Sequence, residues 1–226
     1  MKALKKVSFI YFLMISSVTL SDQLLDFNHR FNGGFELSTK TKSNLFIDSQ
    51  DSIVAKYNVK ADREYEIYFR QLIEHNPKSG KSYYLFVSVY ELKSDEIMLI
   101  REVKDFVLEC TLDGGAKFLD RSFTVTDLNG NGQPEFTFLY DLKCTGDLSP
   151  NRMKLIMLEG ESKSTLRGLR ISEQIYESDW KDIEATKNKL GWGGYDSESE
   201  FIGKHPLLLE FSKLRWDYFK IDFLSN

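Results

Sequence analysis

The segment Asp127-Leu128-Asn129-Gly130-Asn131-Gly132-Gln133-Pro134-Glu135 spaces its side-chain oxygens as a cation site does. It reads D-x-N-x-N-G-x-x-E. Oxygen-bearing side chains alternate with spacers, and glycine permits the sharp turn that lets several oxygens converge on one ion. Hard cations take all-oxygen coordination, so the chemistry this pattern suits is calcium binding with a structural role. The same residues have a plainer use. Asn-Gly pairs favour hairpin turns because they accept positive φ, and Asp or Asn side chains bond their own backbone.

Other chemistry is sparse. His29, His75 and His205 are isolated from one another, and none sits in an H-E-x-x-H pattern. The chain has no G-x-S-x-G nucleophile elbow, no phosphate-binding glycine loop with lysine and no C-x-x-C. Carboxylates are the abundant acid/base groups, and a glycosidase would need two of them facing each other across a cleft. Trp192 and Tyr195, in the loop Gly191-Trp192-Gly193-Gly194-Tyr195, could stack on a sugar or simply cover an edge of the core.

The elements that position these groups read as strands. Tyr65, Ile67 and Phe69 alternate with Glu66, Tyr68 and Arg70, which puts one face in a core and the other in water. Tyr83–Tyr90 is more continuously apolar, as a central strand is. Further strands are expected at 35–39, 53–59, 97–103, 106–110, 117–126, 135–143, 152–158 and 164–176. Asp113-Gly114-Gly115 is expected to turn the chain, and 117–126 with 135–143 makes a hairpin whose tip is the acidic loop. With no helix between consecutive strands, the sheet is antiparallel, arranged as a sandwich or a propeller-like meander. From Pro206 the spacing of Leu207, Phe211, Leu214 and Tyr218 is helical, which predicts one amphipathic helix over 206–220 packed on the sheet.

The first 21 residues stand apart. Lys2, Lys5 and Lys6 precede an apolar run from Val7 to Leu20, the pattern of a secretory signal peptide too short to span a bilayer comfortably. Residues 22–226 then form one β-rich domain, and membrane association would arise only through an uncleaved signal. Cleavage removes three lysines and no acid, taking the net charge from −4 to −7. A mildly acidic surface excludes nucleic acid and anionic membranes as partners, since both demand a basic footprint. In a periplasmic or extracellular setting Cys110 and Cys144 are expected to form a disulfide, with buried thiols as the alternative. In one flat meander their strands would be two apart, about 9.5 Å, beyond disulfide reach. The bridge therefore needs the cysteines beyond the paired region, or a bend in the sheet.

The acidic loop matches a helix-loop-helix calcium site at its first, third, fifth and sixth positions. Its twelfth is Phe138 rather than the bidentate Glu such a site needs, so it is not an EF-hand. It resembles the short loops of FG-GAP integrin-type repeats. That resemblance implies Asp127, Asn129, Asn131, the main-chain carbonyl of Gln133, and Glu135 as calcium ligands. A wider stretch, Asp127–Gly132, Glu135–Tyr140, Cys144, Asp147–Pro150, Lys154–Gly160 and Leu166–Gly168, resembles a family of exported bacterial proteins labelled surface polysaccharide biosynthesis protein. The likeness is best over about a quarter of the chain. It departs from the family at Asp141, where a basic residue is common. The label implies a connection with envelope glycans and no particular reaction.

These readings combine into an expectation. The chain is an exported, mainly β protein with a Cys110–Cys144 bridge and a C-terminal helix. It supports or binds surface polysaccharide, or associates with envelope proteins, without catalysing a reaction. The alternatives are a carboxylate-based enzyme acting on envelope glycans and a secreted protein-binding module. Two paired acids in an aromatic-lined cleft would favour the enzyme, and a flat exposed apolar face the protein binder.

Overall fold

A computed structural model describes residues 36–40, 46–48, 51–147, 149–172 and 191–222. The signal segment, His29 and the continuation of the last long strand past Ser172 lie outside these residues. Two sheets form. In the first, β1 (Glu36–Lys40), β3 (Asp51–Lys60), β4 (Glu64–Asn76), β5 (Gly80–Leu92) and β6 (Ile97–Cys110) lie in that order, with β2 (Phe46–Asp48) also on β3. In the second the order is β12 (Ile221–Asp222), β11 (Ser162–Ser172), β10 (Asn151–Glu159), β9 (Glu135–Thr145) and β7 (Asp113–Phe118). Here β8 (Thr124–Thr126) also pairs with β9. Every pairing is antiparallel except the short β11–β12 contact.

The alternation read from the sequence explains the stacking. Tyr65, Ile67 and Phe69 of β4 and Leu85, Val87 and Val89 of β5 are buried against Phe136, Phe138, Tyr140 and Leu142 of β9, with Ile156 and Leu158 of β10. Phe69 meets Phe118, Phe123 and Phe138 edge-on. Such pairs add about 0.5–1.5 kcal/mol each beyond the area they bury. The arrangement is a sandwich. A second core lies on the far face of the second sheet, where Leu139, Met153, Leu155 and Leu166 meet the helix α1 (Pro206–Phe219).

The helix falls where the spacing predicts, with His205 as its N-cap and Pro206 in its first turn. Its buried face is rotated from the expected one. Leu208, Phe211, Ser212, Arg215, Trp216 and Phe219 face the sheet, while Tyr218 is exposed. Arg215 disguises this face in a hydropathy reading. Its stem is buried, and its Nη2 donates to the carbonyls of Arg121 and Ser122.

Three expectations change. Segments 97–103 and 106–110 are one strand, β6. Asp113-Gly114-Gly115 opens β7 rather than turning the chain, and the turn falls at Thr111-Leu112. A Cβ on Gly114 would lie 2.9 Å from Cys110 Sγ and 2.6 Å from the Tyr83 ring, so glycine serves close approach here. The turn carries the chain from one sheet to the other. Cys110 and Cys144 therefore end strands of opposite sheets, their Cα atoms 5.8 Å apart, and the disulfide ties the sandwich at one end. Finally, 117–126 is not one strand but the end of β7 followed, after a break, by β8. β5 is central in the first sheet, as expected, with Leu85, Val87 and Val89 in the core and Tyr84, Phe86 and Tyr90 half-buried on its other face. No described element packs on the outer face of the first sheet.

Candidate functional site

The acidic loop is the hairpin tip between β8 and β9. Gly130 and Gly132 adopt positive φ, 69° and 78°. Asp127 Oδ1 accepts from Asn131 N and Oδ2 from Gly132 N. Asn129 Oδ1 accepts from Asn131 N, and Asn131 Oδ1 from Gln133 N. Glu135 is fully buried at the base of the loop, where it accepts from Thr126 Oγ1 and Leu128 N.

One residue of this cluster escaped the sequence reading. Glu159, at the end of β10, is the direct cross-strand neighbour of Glu135. Its Oε1 accepts from both Asn129 Nδ2 and Asn131 Nδ2. Like charges directly opposite in an antiparallel pair are destabilising, and no basic side chain pairs with Asp127, Glu135 or Glu159 among the described residues. Burial, opposed in part by its hydrogen bonds and reinforced by Glu159 and Asp127, raises Glu135 to about 7. The donor set fits a hard divalent cation in chemistry and charge. The carboxylates do not converge as a preformed cage, since no group of three His, Cys, Asp or Glu side chains among the described residues is placed to hold a metal. The Asn oxygens and a main-chain carbonyl would have to supply the rest.

The outer face of the first sheet collects aromatic and charged side chains. Arg70, Phe86 and Lys104 form one cross-strand row, and Tyr84 lies opposite Phe106 in the next. Tyr84 and Phe86 are nearly parallel, with ring centroids 6.4 Å apart, and Lys104 Nζ lies 5.1 Å and 5.3 Å from them. Arg70 sits 4.9 Å over Phe86, Lys56 sits 4.8 Å over Tyr68, and Tyr68 meets Tyr90 edge-on. Glu66 pairs with Lys56, and Glu102 with Arg70. Phe106 is 47% exposed. Apolar ring area beside hydroxyl, carboxylate and cationic groups suits ligands that present alternating C–H and O–H surface. The sequence signal was present in Tyr84, Phe86 and Tyr90, which share the parity opposite to Leu85, Val87 and Val89.

Trp192 and Tyr195 lie on the other side of the molecule. Their loop is pinned to β11 by bridges at Gly168–Tyr195 and Leu169–Trp192. Tyr195 packs edge-on against buried Trp216, and its hydroxyl donates to Glu198. The loop holds this position because Gly168 has no side chain. A Cβ there would lie 1.9 Å from the Gly194 carbonyl oxygen. Gly168→Ala is expected to lift the loop and destabilise the fold by about 1–3 kcal/mol, with altered tryptophan emission. Unchanged stability and emission would show that the loop is not docked.

Tyr140 and Lys154, two residues of the stretch that carries the wider resemblance, meet at one carboxylate of the other sheet. Tyr140 of β9 donates to Asp105 of β6 at 2.7 Å, and Lys154 of β10 pairs with the same carboxylate. Burial first, and Asp105 second, push the Tyr140 hydroxyl far above its ordinary range. This cluster joins the two sheets. Among the clefts lined by described residues, two adjoining ones carry Glu91 and Asp62, a third carries Asp141 and a fourth carries no carboxylate. Of the other histidines, His75 lies exposed on β4. No described helix is long and apolar enough to cross a membrane, and the disulfide fits an oxidising compartment. Comparison with protein-family models, characterised proteins and solved structures gives no match for this chain.

Proposed function

We propose that this is an exported, non-enzymatic envelope protein that binds surface polysaccharide on the outer face of its first sheet, with calcium as a structural ion in the 127–135 loop. The observation that carries the reading is the partly exposed row of Tyr68, Tyr84, Phe86, Tyr90 and Phe106, which no described element covers, set among charged groups that can hydrogen-bond hydroxyls. The opposite face of the sandwich is closed by α1, which makes the asymmetry meaningful. The disulfide and the amino-terminal signal pattern support export. The acidic loop supports calcium through its oxygen donors and its excess of carboxylates. Asp127, the oxygens of Asn129 and Asn131, the Gln133 carbonyl and Glu135 would hold the ion, and Glu159 joins them through the two Asn amides. The ion supplies the positive charge that the loop lacks.

The test is retention on immobilised surface polysaccharide. Tyr84→Ala and Phe86→Ala each remove an outward ring and no core contact, and each is expected to weaken binding about tenfold while leaving the unfolding temperature nearly unchanged. Wild-type binding that both variants retain in full would sink the assignment to this face.

A second reading has its own observation. Ile97, Leu99, Phe106, Leu108 and Leu112 are about half exposed or more, along and just beyond β6, the edge strand of the first sheet. An exposed apolar row of this kind suits a protein partner. It predicts that Leu99→Ser and Leu108→Ser, and not the ring substitutions, disturb association with envelope proteins.

A further inference from the structure

At the loop end of the sandwich, away from the aromatic face, the turn between β3 and β4 stands across from the acidic loop. The space between them has two joined parts that share Arg63, Tyr65, Gln133 and Pro134 in their walls. The outer part, about 350 Å³, is open and is walled by that turn and by Asn131 to Pro134. The inner part, about 40 Å³, reaches down between the sheets to Val89, Phe136 and Leu158. Gln133 lies along its wall because Gly160 opposite has no side chain. A Cβ there would come within 2.8 Å of Gln133 Nε2.

Two polar groups in this cleft have no partner among the described residues, and a third is held by a single ion pair. Tyr65 is more than nine-tenths buried, yet it lines both parts of the cleft, and its hydroxyl has no hydrogen-bond partner among the described residues. Arg101 points inward from β6, opposite Val89. The residue is partly buried, lines the inner part of the cleft and makes neither an ion pair nor a hydrogen bond among the described residues. Arg63 is 63% exposed at the side chain and leans on the buried carboxylate of Glu91 at 3.2 Å. A guanidinium with five donors, no acceptor and no partner among the described residues calls for a planar anion, and carboxylates match its fork in a bidentate fashion. The inner part is large enough for a carboxylate and too small for a sugar ring, while the outer part has room for the ring itself. The Arg63–Glu91 pair then offers one donor and one acceptor to ring hydroxyls.

We infer that this end cleft is a subsite for a uronic acid residue, with Arg101 and Tyr65 taking the sugar carboxylate and Arg63, Glu91 and Gln133 the hydroxyls. The inference rests on the glycan-binding reading and deepens it by naming the sugar class. It assigns the carboxylate to a site separate from the aromatic face.

Titration of the mature protein with methyl β-D-glucuronide and, in parallel, with methyl β-D-glucoside tests it. The glucuronide should bind about tenfold or more tightly than the glucoside. Arg101→Met keeps the stem and loses the guanidinium, and it should erase that preference. Tyr65→Phe should weaken the glucuronide several-fold with the fold intact, and it decides the matter if Arg101→Met does not fold. Equal affinity for the two glycosides, no glucuronide binding, or undiminished glucuronide binding by folded Arg101→Met or by Tyr65→Phe would each overturn the inference. Polymer retention measured alongside separates the two claims. Retention that needs Tyr84 and Phe86 but shows no uronate preference removes the cleft and leaves the sheet face standing. A cleft-dependent uronate preference with retention indifferent to both rings does the opposite.

Discussion

Arg170→Met should destabilise the protein by about 3–5 kcal/mol, the range found when one member of a buried ion pair is removed. For a chain of this size that is a fall of roughly 10 °C in unfolding temperature. Arg170 Nη1 donates to Asp141 Oδ2 at 2.8 Å, and both side chains are buried on the helix-facing side of the second sheet. The guanidinium does more than pair a charge. Its Nε donates to the Phe219 carbonyl at 2.8 Å, one of the acceptors that the end of α1 leaves without an intrahelical donor, and its Nη2 reaches the Ile221 carbonyl. One side chain thus fastens β9, the end of the helix and the short parallel strand β12. Methionine fills the stem volume but takes the guanidinium away from the buried Asp141 carboxylate. The control is Asp141→Leu/Arg170→Met. Removing both charges should recover a large part of the loss, because the desolvation penalty goes with them. If the single variant loses less than about 1 kcal/mol, the pair behaves as a surface pair and this account fails.

That pair also shows where sequence reading ends. Nothing in the sequence around Asp141 announces a partner on β11, 29 residues on. Local periodicity carried the reading well where one element faces one core. Tyr65, Ile67 and Phe69 point inward as their spacing says, and α1 begins at Pro206. Periodicity reports which residues share a face, not what covers that face. Hence the helix stripe was set one position off by the polar Arg215. Sheet membership was equally hidden, because the two-residue turn at Thr111-Leu112 reads the same whether it returns to one sheet or crosses to another. That ambiguity is why the disulfide looked strained in a flat meander. In the acidic loop the nearby donors and glycines were legible. Glu159 was not, since it arrives through the β9–β10 register. The end cleft joins a turn, two sheets and a loop, and its unused Tyr65 hydroxyl and Arg101 guanidinium emerge only once the strands are stacked.

In calcium-free buffer, the stability of the protein should fall by roughly 3 kcal/mol as pH rises through the interval in which Glu135 titrates. Burial among like charges raises this carboxyl from 4.5 to about 7 in the folded chain. Between those values the folded state keeps a proton that the unfolded chain has released, so stability decreases with rising pH. The contribution is fully present below 4.5 and gone once pH passes about 7. Glu135→Gln imitates the protonated side chain. It should flatten that part of the profile and make the variant more stable than wild type at about pH 8 in EDTA. Calcium should reverse the order. A cation favours the ionised carboxylate, so at millimolar calcium the pH slope shrinks and wild type gains stability by mass action, while Glu135→Gln gains less. Asp127→Ala should abolish the calcium response through a different donor and leave the EDTA slope largely in place. Thermal unfolding of the three proteins across this pH range, with calcium and with EDTA, reads all of these outcomes. A flat wild-type profile in EDTA would contradict the buried, proton-holding Glu135. A steep profile that calcium leaves unchanged would retain the buried acid and remove the metal clamp, and the loop would then be a turn held by its own Asp, Asn and Glu hydrogen bonds.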